Sequence, residues 1–289
     1  MAANTLFPLD AVAAYERDGA VCLRGAFGAE WVDLACRGIE RNIAQPGPLF
    51  RNLGGPDGGF LSDIWARRHI PEFERFCMES PAAAIAAQAL HANPVRLVQD
   101  TWFSKLPGAS ARTPWHHDTA IAGPFCSIWV ALDVTPRDAA LEFVAGSHRW
   151  GATLMPSSYF DGEGNAAERF YKEFHGDAER DEQAAFGQVP DIEADRDAYD
   201  IIGWELRPGD CLLFDARTLH GAPGNHLQRP LRRFVTRWIT EASVLSPHGG
   251  DVIGALAAAG LQADLAVGKP IRGPLFPLVN AAPDGRAAM

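Results

Sequence analysis

Between Val95 and Thr240 the chain is cut into short β-prone runs by turn-forming pairs, and that pattern leaves little besides an antiparallel β architecture. The runs are Val95–Lys105, Phe125–Asp133, Leu141–Val144, Cys211–Phe214 and Arg232–Thr240. Pro107-Gly108, Gly146-Ser147 and Pro208-Gly209-Asp210 fall between them. Strands this short, rich in branched and aromatic residues, bury one face by folding into a sandwich or jelly roll with helices packed outside.

The residues before Val95 supply such helices. Helix-forming residues from Asp10 to Arg17 end at Gly19, and Gly28 to Ala44 places Trp31, Leu34, Ala35 and Ile39 on one face at helical spacing. Ala20–Leu23 between them predicts a short strand, and Ile70 to Ala92 a helix broken at Pro81. The expected organisation is therefore one domain over 1–289. Residues 1–94 form a mainly helical flank, 95–240 the β core with a polar insertion at 157–200, and 241–289 a C-terminal wrap without a fold of its own. A long polar insertion in a compact domain suits a lid, with Phe160, Phe170, Tyr171, Phe174 and Phe186 as its apolar underside.

Composition excludes several functions. With 36 acidic against 26 basic residues the formal charge is -10, which opposes a phosphate-neutralising grip on nucleic acid. The first ten residues, MAANTLFPLD, lack the basic and apolar regions of an export signal. No run of apolar residues reaches membrane-spanning length, so a cytoplasmic protein is expected, with no membrane partner. Five scattered cysteines without a C-x-x-C pair read as small buried residues in a reducing compartment.

The chemistry resides in histidines and carboxylates. His-x-Asp occurs twice, as His116-His117-Asp118 and as His175-Gly176-Asp177. The first lies between predicted strands, which can aim two side chains at one ion, whereas the second lies in the polar insertion. His220, after the apolar strand Cys211–Phe214, is the candidate third ligand. Two neutral imidazoles and one carboxylate leave half an octahedron open, which suits iron(II) that must also bind a co-substrate and O2. On spacing alone, His116 and His220 read equally well as hydrogen-bonded interior histidines.

Flanking residues favour the metal. Trp115-His116-His117-Asp118-Thr119, Ile128–Asp133, Leu141–Arg149 with its Gly146-Ser147-His148, and Gly209-Asp210 ahead of Leu219-His220-Gly221 and Asn225 occur in an order and spacing that resembles the phytanoyl-CoA dioxygenase family. Tyr15 to Val21 resembles the same family's opening helix and strand. The resemblance implies a mainly β fold with flanking helices around a double-stranded β-helix (jelly-roll, cupin-like) core. It also implies iron(II), 2-oxoglutarate and O2 as cofactors, with His116, Asp118 and His220 as metal ligands and catalytic residues.

The family's arginine for the far carboxylate of 2-oxoglutarate follows the second histidine by a short interval. Here Arg232 and Arg233 compete, and strand alternation sends them to opposite faces. Arg232 aligns better and shares its face with Phe234, Thr236 and Trp238, so Arg232 and Thr236 are the expected co-substrate residues. Lys105, eleven residues before His116, and Trp129 match co-substrate positions in relatives, and Gln99 is expected to face the substrate. His117, where glutamine is common, is expected to point to solvent.

The implied reaction is hydroxylation of a small or medium organic metabolite, with release of succinate and CO2. An acyl-CoA hydroxylase of the same family would want a basic cradle for phosphates, and Arg67-Arg68 and Arg232-Arg233 are the adjacent basic pairs. A non-catalytic cupin-like binding or sensor protein is the reading from a different class. Asp118 argues against a halogenase, which leaves the carboxylate position vacant for chloride.

Overall fold

The computed structural model describes residues 7–52, 59–155, 187–247 and 249–281. Its centre is an eight-stranded antiparallel sheet. Its order is Ala20–Leu23, Cys211–Asp215, Phe125–Ala131, Leu231–Ile239, Val95–Lys105, Phe60–Ile64 and Arg51–Asn52, with Leu278–Val279 on the free end of Val95–Lys105. A four-stranded antiparallel sheet faces it, ordered Ile201–Gly203, Glu142–Val144, His220–Ala222 and Thr113–His116. Together they form the expected jelly roll.

Both faces of the large sheet are buried, for different reasons. Helices Leu9–Asp18, Ala29–Ala44, Pro71–Glu79 and Ala82–Ala89 cover its outer face, burying Trp102, Phe234, Trp238, Ile128, Val130 and Leu213 with Leu34, Ile39, Phe73 and Phe76. Phe234 alone meets the rings of Phe73 and Phe76, each at 4.7 Å. The inner face carries Trp129, Ala131, Leu212, Phe214 and Val235 against Phe143 of the small sheet and the preceding Leu141. The helices and the short strand Ala20–Leu23 read in the first third are present. Gly19 ends the first helix at φ 81°, where its N–H donates to Tyr15 O, a conformation glycine adopts without strain. Strands Phe60–Ile64 and Thr113–His116 escaped the sequence reading.

Two expectations about the ends of the core need correction. The tail does have local structure: Gly250–Ala258 is a helix whose Ala255 and Leu256 pack on Phe125, Ile239 and Leu245, and Leu278–Val279 joins the large sheet. The second half of the supposed insertion belongs to the body. Gly187–Gln188 pairs with Leu154–Met155, and Ile192 is buried with Trp115, Val144, Leu154 and Leu219. Glu193 and Arg196 complete a network with Glu142, Arg112 and Trp115 on the outer face of the small sheet. Residues 157–186, with the proposed apolar underside and the His175-Gly176-Asp177 motif, lie outside the described residues.

Candidate active site

The small sheet brings the two histidines together. His116 ends one strand and His220 begins its neighbour, and the two are direct cross-strand partners, with ring centroids 4.3 Å apart. Asp118 turns back beside them, its N–H donating to Ala216 O. Ligand atoms of His116, Asp118 and His220 all lie within 4.8 Å of one another, a spread that one ion can bridge.

The hydrogen bonds fix which atoms can ligate. His116 Nδ1 lies 2.8 Å from Pro114 O, and His220 Nδ1 lies 2.8 Å from Thr218 O. A carbonyl can only accept, so each Nδ1 carries the proton and each Nε2 the lone pair, as in most metal-ligating histidines. Burial pushes His116 below its ordinary range, and burial together with His116 pushes His220 down to about 3, so both are neutral at pH 7. Burial pushes the Asp118 carboxyl up. Arg237, His220 and His116 outweigh that and hold it far below the carboxylate range. The donor set is thus already deprotonated as a divalent metal requires, and two nitrogens with one oxygen fit iron(II).

Two cations are buried on the inner face of the large sheet. Arg233 is 4% exposed, and its guanidinium lies over the Trp129 ring at 4.7 Å. Lys105 is 2% exposed, and its ammonium donates to Pro223 O at 2.6 Å. Burial lowers Arg233 to about 10, against the pull of Asp133. Burial, Arg233 and Arg112 lower Lys105 to about 7. Arg233 Nε lacks a hydrogen-bond partner among the described residues. The carboxylate near Arg233, that of Asp133, is occupied by Arg232. Two desolvated cationic side chains, with no acid hydrogen-bonded to either among the described residues, favour an anion beside them.

Of the two arginines, the structure turns Arg233 into the barrel and Arg232 out of it, opposite to the facing expected from the sequence. Arg232 leaves the barrel on the helix side, where it forms a two-point pair with Asp133, its Nη2 to Oδ1 distance being 2.9 Å. Thr236 shares that outer face, its hydroxyl accepting from Trp238 Nε1. Arg233, Val235 and Arg237 are the residues that point inward. Lys105, Trp129 and Gln99 stand on the same inner face as Arg233. His117 is also corrected, since it is buried and its Nδ1 accepts the Leu154 N–H.

Arg237 was not singled out by the sequence. It reaches Asp118 with Nε to Oδ2 at 3.3 Å and Nη2 to Oδ1 at 3.5 Å, and its Nη1 donates to Gln99 Oε1 at 2.9 Å. Ser127 Oγ donates to Asp118 Oδ2 at 3.2 Å. Its one sequence signal is parity, because it lies four residues after Arg233 on the same face of the strand.

Known proteins agree with this architecture. The chain is similar over 92% of its length to the non-haem α-ketoglutarate-dependent epimerase SnoN from nogalamycin biosynthesis, covering 93% of that chain at 22% identity and TM-score 0.68. It matches the carbocyclase SnoK of the same biosynthesis at 19% identity and TM-score 0.69, covering 96% of this chain and 98% of that one. EctD from S. alaskensis, solved with 2-oxoglutarate and 5-hydroxyectoine, matches at 18% identity and TM-score 0.64, covering 95% and 88%. No curated protein sequence matches the chain. At these identities the structures establish the fold, the double-stranded β-helix of the 2-oxoglutarate oxygenases. Among the described residues no helix is long and apolar enough to cross a membrane. The model of the phytanoyl-CoA dioxygenase family matches residues 15–234, from the first helix to the strand that holds Arg233. With its triad and fold in place, the chain belongs to that family of iron- and 2-oxoglutarate-dependent oxygenases.

Proposed function

We propose that the chain hydroxylates a small or medium organic metabolite, using iron(II), 2-oxoglutarate and O2 and releasing succinate and CO2. The observation that carries this reading is one interior holding both a three-ligand cluster and a pocket with two buried, anion-seeking cations. In this reading His116, Asp118 and His220 hold iron, which supplies the open positions and redox chemistry for O2. Arg233, braced by Trp129, presents its planar fork to the far carboxylate of the co-substrate. Lys105 adds a second positive charge. Trp129, Val235 and Phe103 line that end and exclude water, which strengthens the charge pairing. Gln99, its amide oxygen held by Arg237, is assigned to the substrate.

SnoN and SnoK carry epimerisation and ring closure on this fold, and hydroxylation is proposed here as the outcome that needs no further group to divert the oxidised substrate. An acyl-CoA substrate gains no support from the adjacent arginines. Arg67 is buried against Glu74 and Leu275 O, and Arg232 is spent on Asp133. The test is a metabolite screen with iron-loaded protein that follows 2-oxoglutarate consumption and succinate release. A matching substrate accelerates both and gains one oxygen atom. A protein that binds iron yet turns over no 2-oxoglutarate with any compound would overturn the catalytic reading in favour of a binding or sensor protein.

Lys105 makes co-substrate binding depend on pH. Without co-substrate the Lys105 ammonium is half-deprotonated near pH 7, and a bound carboxylate favours the charged form. Below pH 7 the dianion meets an ammonium already protonated, whereas above it binding must take up a proton. The apparent affinity for 2-oxoglutarate should therefore fall about tenfold per pH unit above pH 7 until the bound-state pKa is passed. Calorimetric titrations from pH 6 to 9 should show this slope in the unmodified protein and a flat profile in Lys105→Met. An identical slope in both would remove Lys105 from the pocket's chemistry.

A further inference from the structure

We infer that Arg237 is a positioning residue that confines the Asp118 carboxylate to one-oxygen coordination and carries the positive charge that couples the metal to a dianionic co-substrate. The inference rests on the reading above of a metal centre that takes 2-oxoglutarate.

Its basis is a row of side chains across three adjacent strands. Arg237 is the direct cross-strand partner of Ser127 on one side and of Gln99 on the other, on the inner face of the large sheet. Within this row Asp118 Oδ2 receives two hydrogen bonds, from Ser127 Oγ at 3.2 Å and Arg237 Nε at 3.3 Å, while Oδ1 has a single long contact to Nη2 at 3.5 Å. Gln99 holds the far side of the guanidinium at 2.9 Å, so the fork cannot rotate away without losing that bond. Oδ2 is thus engaged by the large sheet, and Oδ1 is the oxygen left for a metal shared with His116 and His220. A carboxylate held by one oxygen preserves the open positions that a second bound oxygen would consume.

The charge of Arg237 acts in two directions. Near a bare divalent ion it repels, because the ion's two positive charges meet only the single negative charge of Asp118. Once a dianion joins, the metal, Asp118 and the dianion sum to one negative charge, so the cluster beside Arg237 changes from repelling it to attracting it, while Arg233 and Lys105 act on the dianion's other end. The residue therefore weakens the bare metal and strengthens the co-substrate on the metal, a coupling that must be reciprocal. A merely structural arginine would have no such split, because its loss would loosen both equilibria together.

The experiment measures two constants by calorimetry on the full chain. The first is Zn(II) binding to the metal-free protein, and the second is 2-oxoglutarate binding to the Zn(II)-loaded protein. Arg237→Met should tighten the metal by about tenfold and weaken 2-oxoglutarate by about tenfold, and Arg237→Lys should return both constants towards their original values. If Arg237→Met does not fold, Arg237→Gln, which keeps a donor for Oδ2 and drops the charge, carries the same expectation. Both constants weakening together, or neither moving, overturns the inference. His116→Ala in the same assay separates it from the reading beneath it: unchanged metal affinity there means that the metal centre itself is misplaced.

Discussion

Alanine at His116, Asp118 or His220 is expected to remove stoichiometric metal binding and, with it, all turnover. Uncharged groups that merely orient a metal ligand commonly cost 10- to 100-fold in affinity when replaced, so loss of a ligand should exceed about 100-fold. The three variants should differ in what else they lose. His116→Ala and His220→Ala delete neutral rings whose Nδ1 protons bond to backbone carbonyls of their own strands and turns. Asp118→Ala strips a mostly buried arginine of its acid, which typically costs about 3–5 kcal/mol, so its metal-free form should also melt earliest. Anaerobic equilibrium dialysis with Fe(II), paired with thermal melts of the metal-free proteins, checks both parts. Near-normal Fe(II) affinity in His220→Ala would place the ion elsewhere.

The second large effect separates two adjacent arginines. Arg233→Ala should weaken 2-oxoglutarate by tens- to several-thousand-fold, since truncating one partner of a buried charge pair costs roughly 2–5 kcal/mol. Arg232→Ala should leave that affinity within about threefold and instead lower stability through loss of its pair with Asp133. Metal affinity should be nearly unchanged in both. Titrating 2-oxoglutarate into the two metal-loaded variants side by side decides the matter, and a larger loss in Arg232→Ala would return the co-substrate to the other face.

Why parity was misread from the sequence is a matter of burial. In a half-exposed strand, polar and apolar residues alternate and announce which face is inside. Leu231–Ile239 is central, with helices on one face and the barrel on the other, so both arginines stand among buried neighbours and the alternation is silent. Phe234 and Trp238 suggested an interior, and they do mark one, but it is the layer shared with Phe73 and Phe76. The triad was readable because ordered motifs flank both histidines, spacing alone having left them equally plausible as interior residues. Arg237 was harder, because its partner Asp118 lies 119 residues away and only the fold joins them. The register of short strands such as Thr113–His116 and His220–Ala222, which makes the two histidines face each other, likewise depends on pairing across the barrel rather than on local propensity.

The row of Ser127, Arg237 and Gln99 and the pair of Arg233 and Lys105 stand on the same inner face, with Arg237 and Arg233 four residues apart along one strand. Four residues of extended chain span roughly 13 Å between backbone positions, and neither end can shift without breaking the ladder that holds it. Under the proposed assignment this strand works as a ruler. A dicarboxylate gripped at Arg233 reaches the metal only if its carbon chain matches the graduation, so discrimination between acids that differ by one methylene would be set by the pitch of the β backbone rather than by any side chain that touches them.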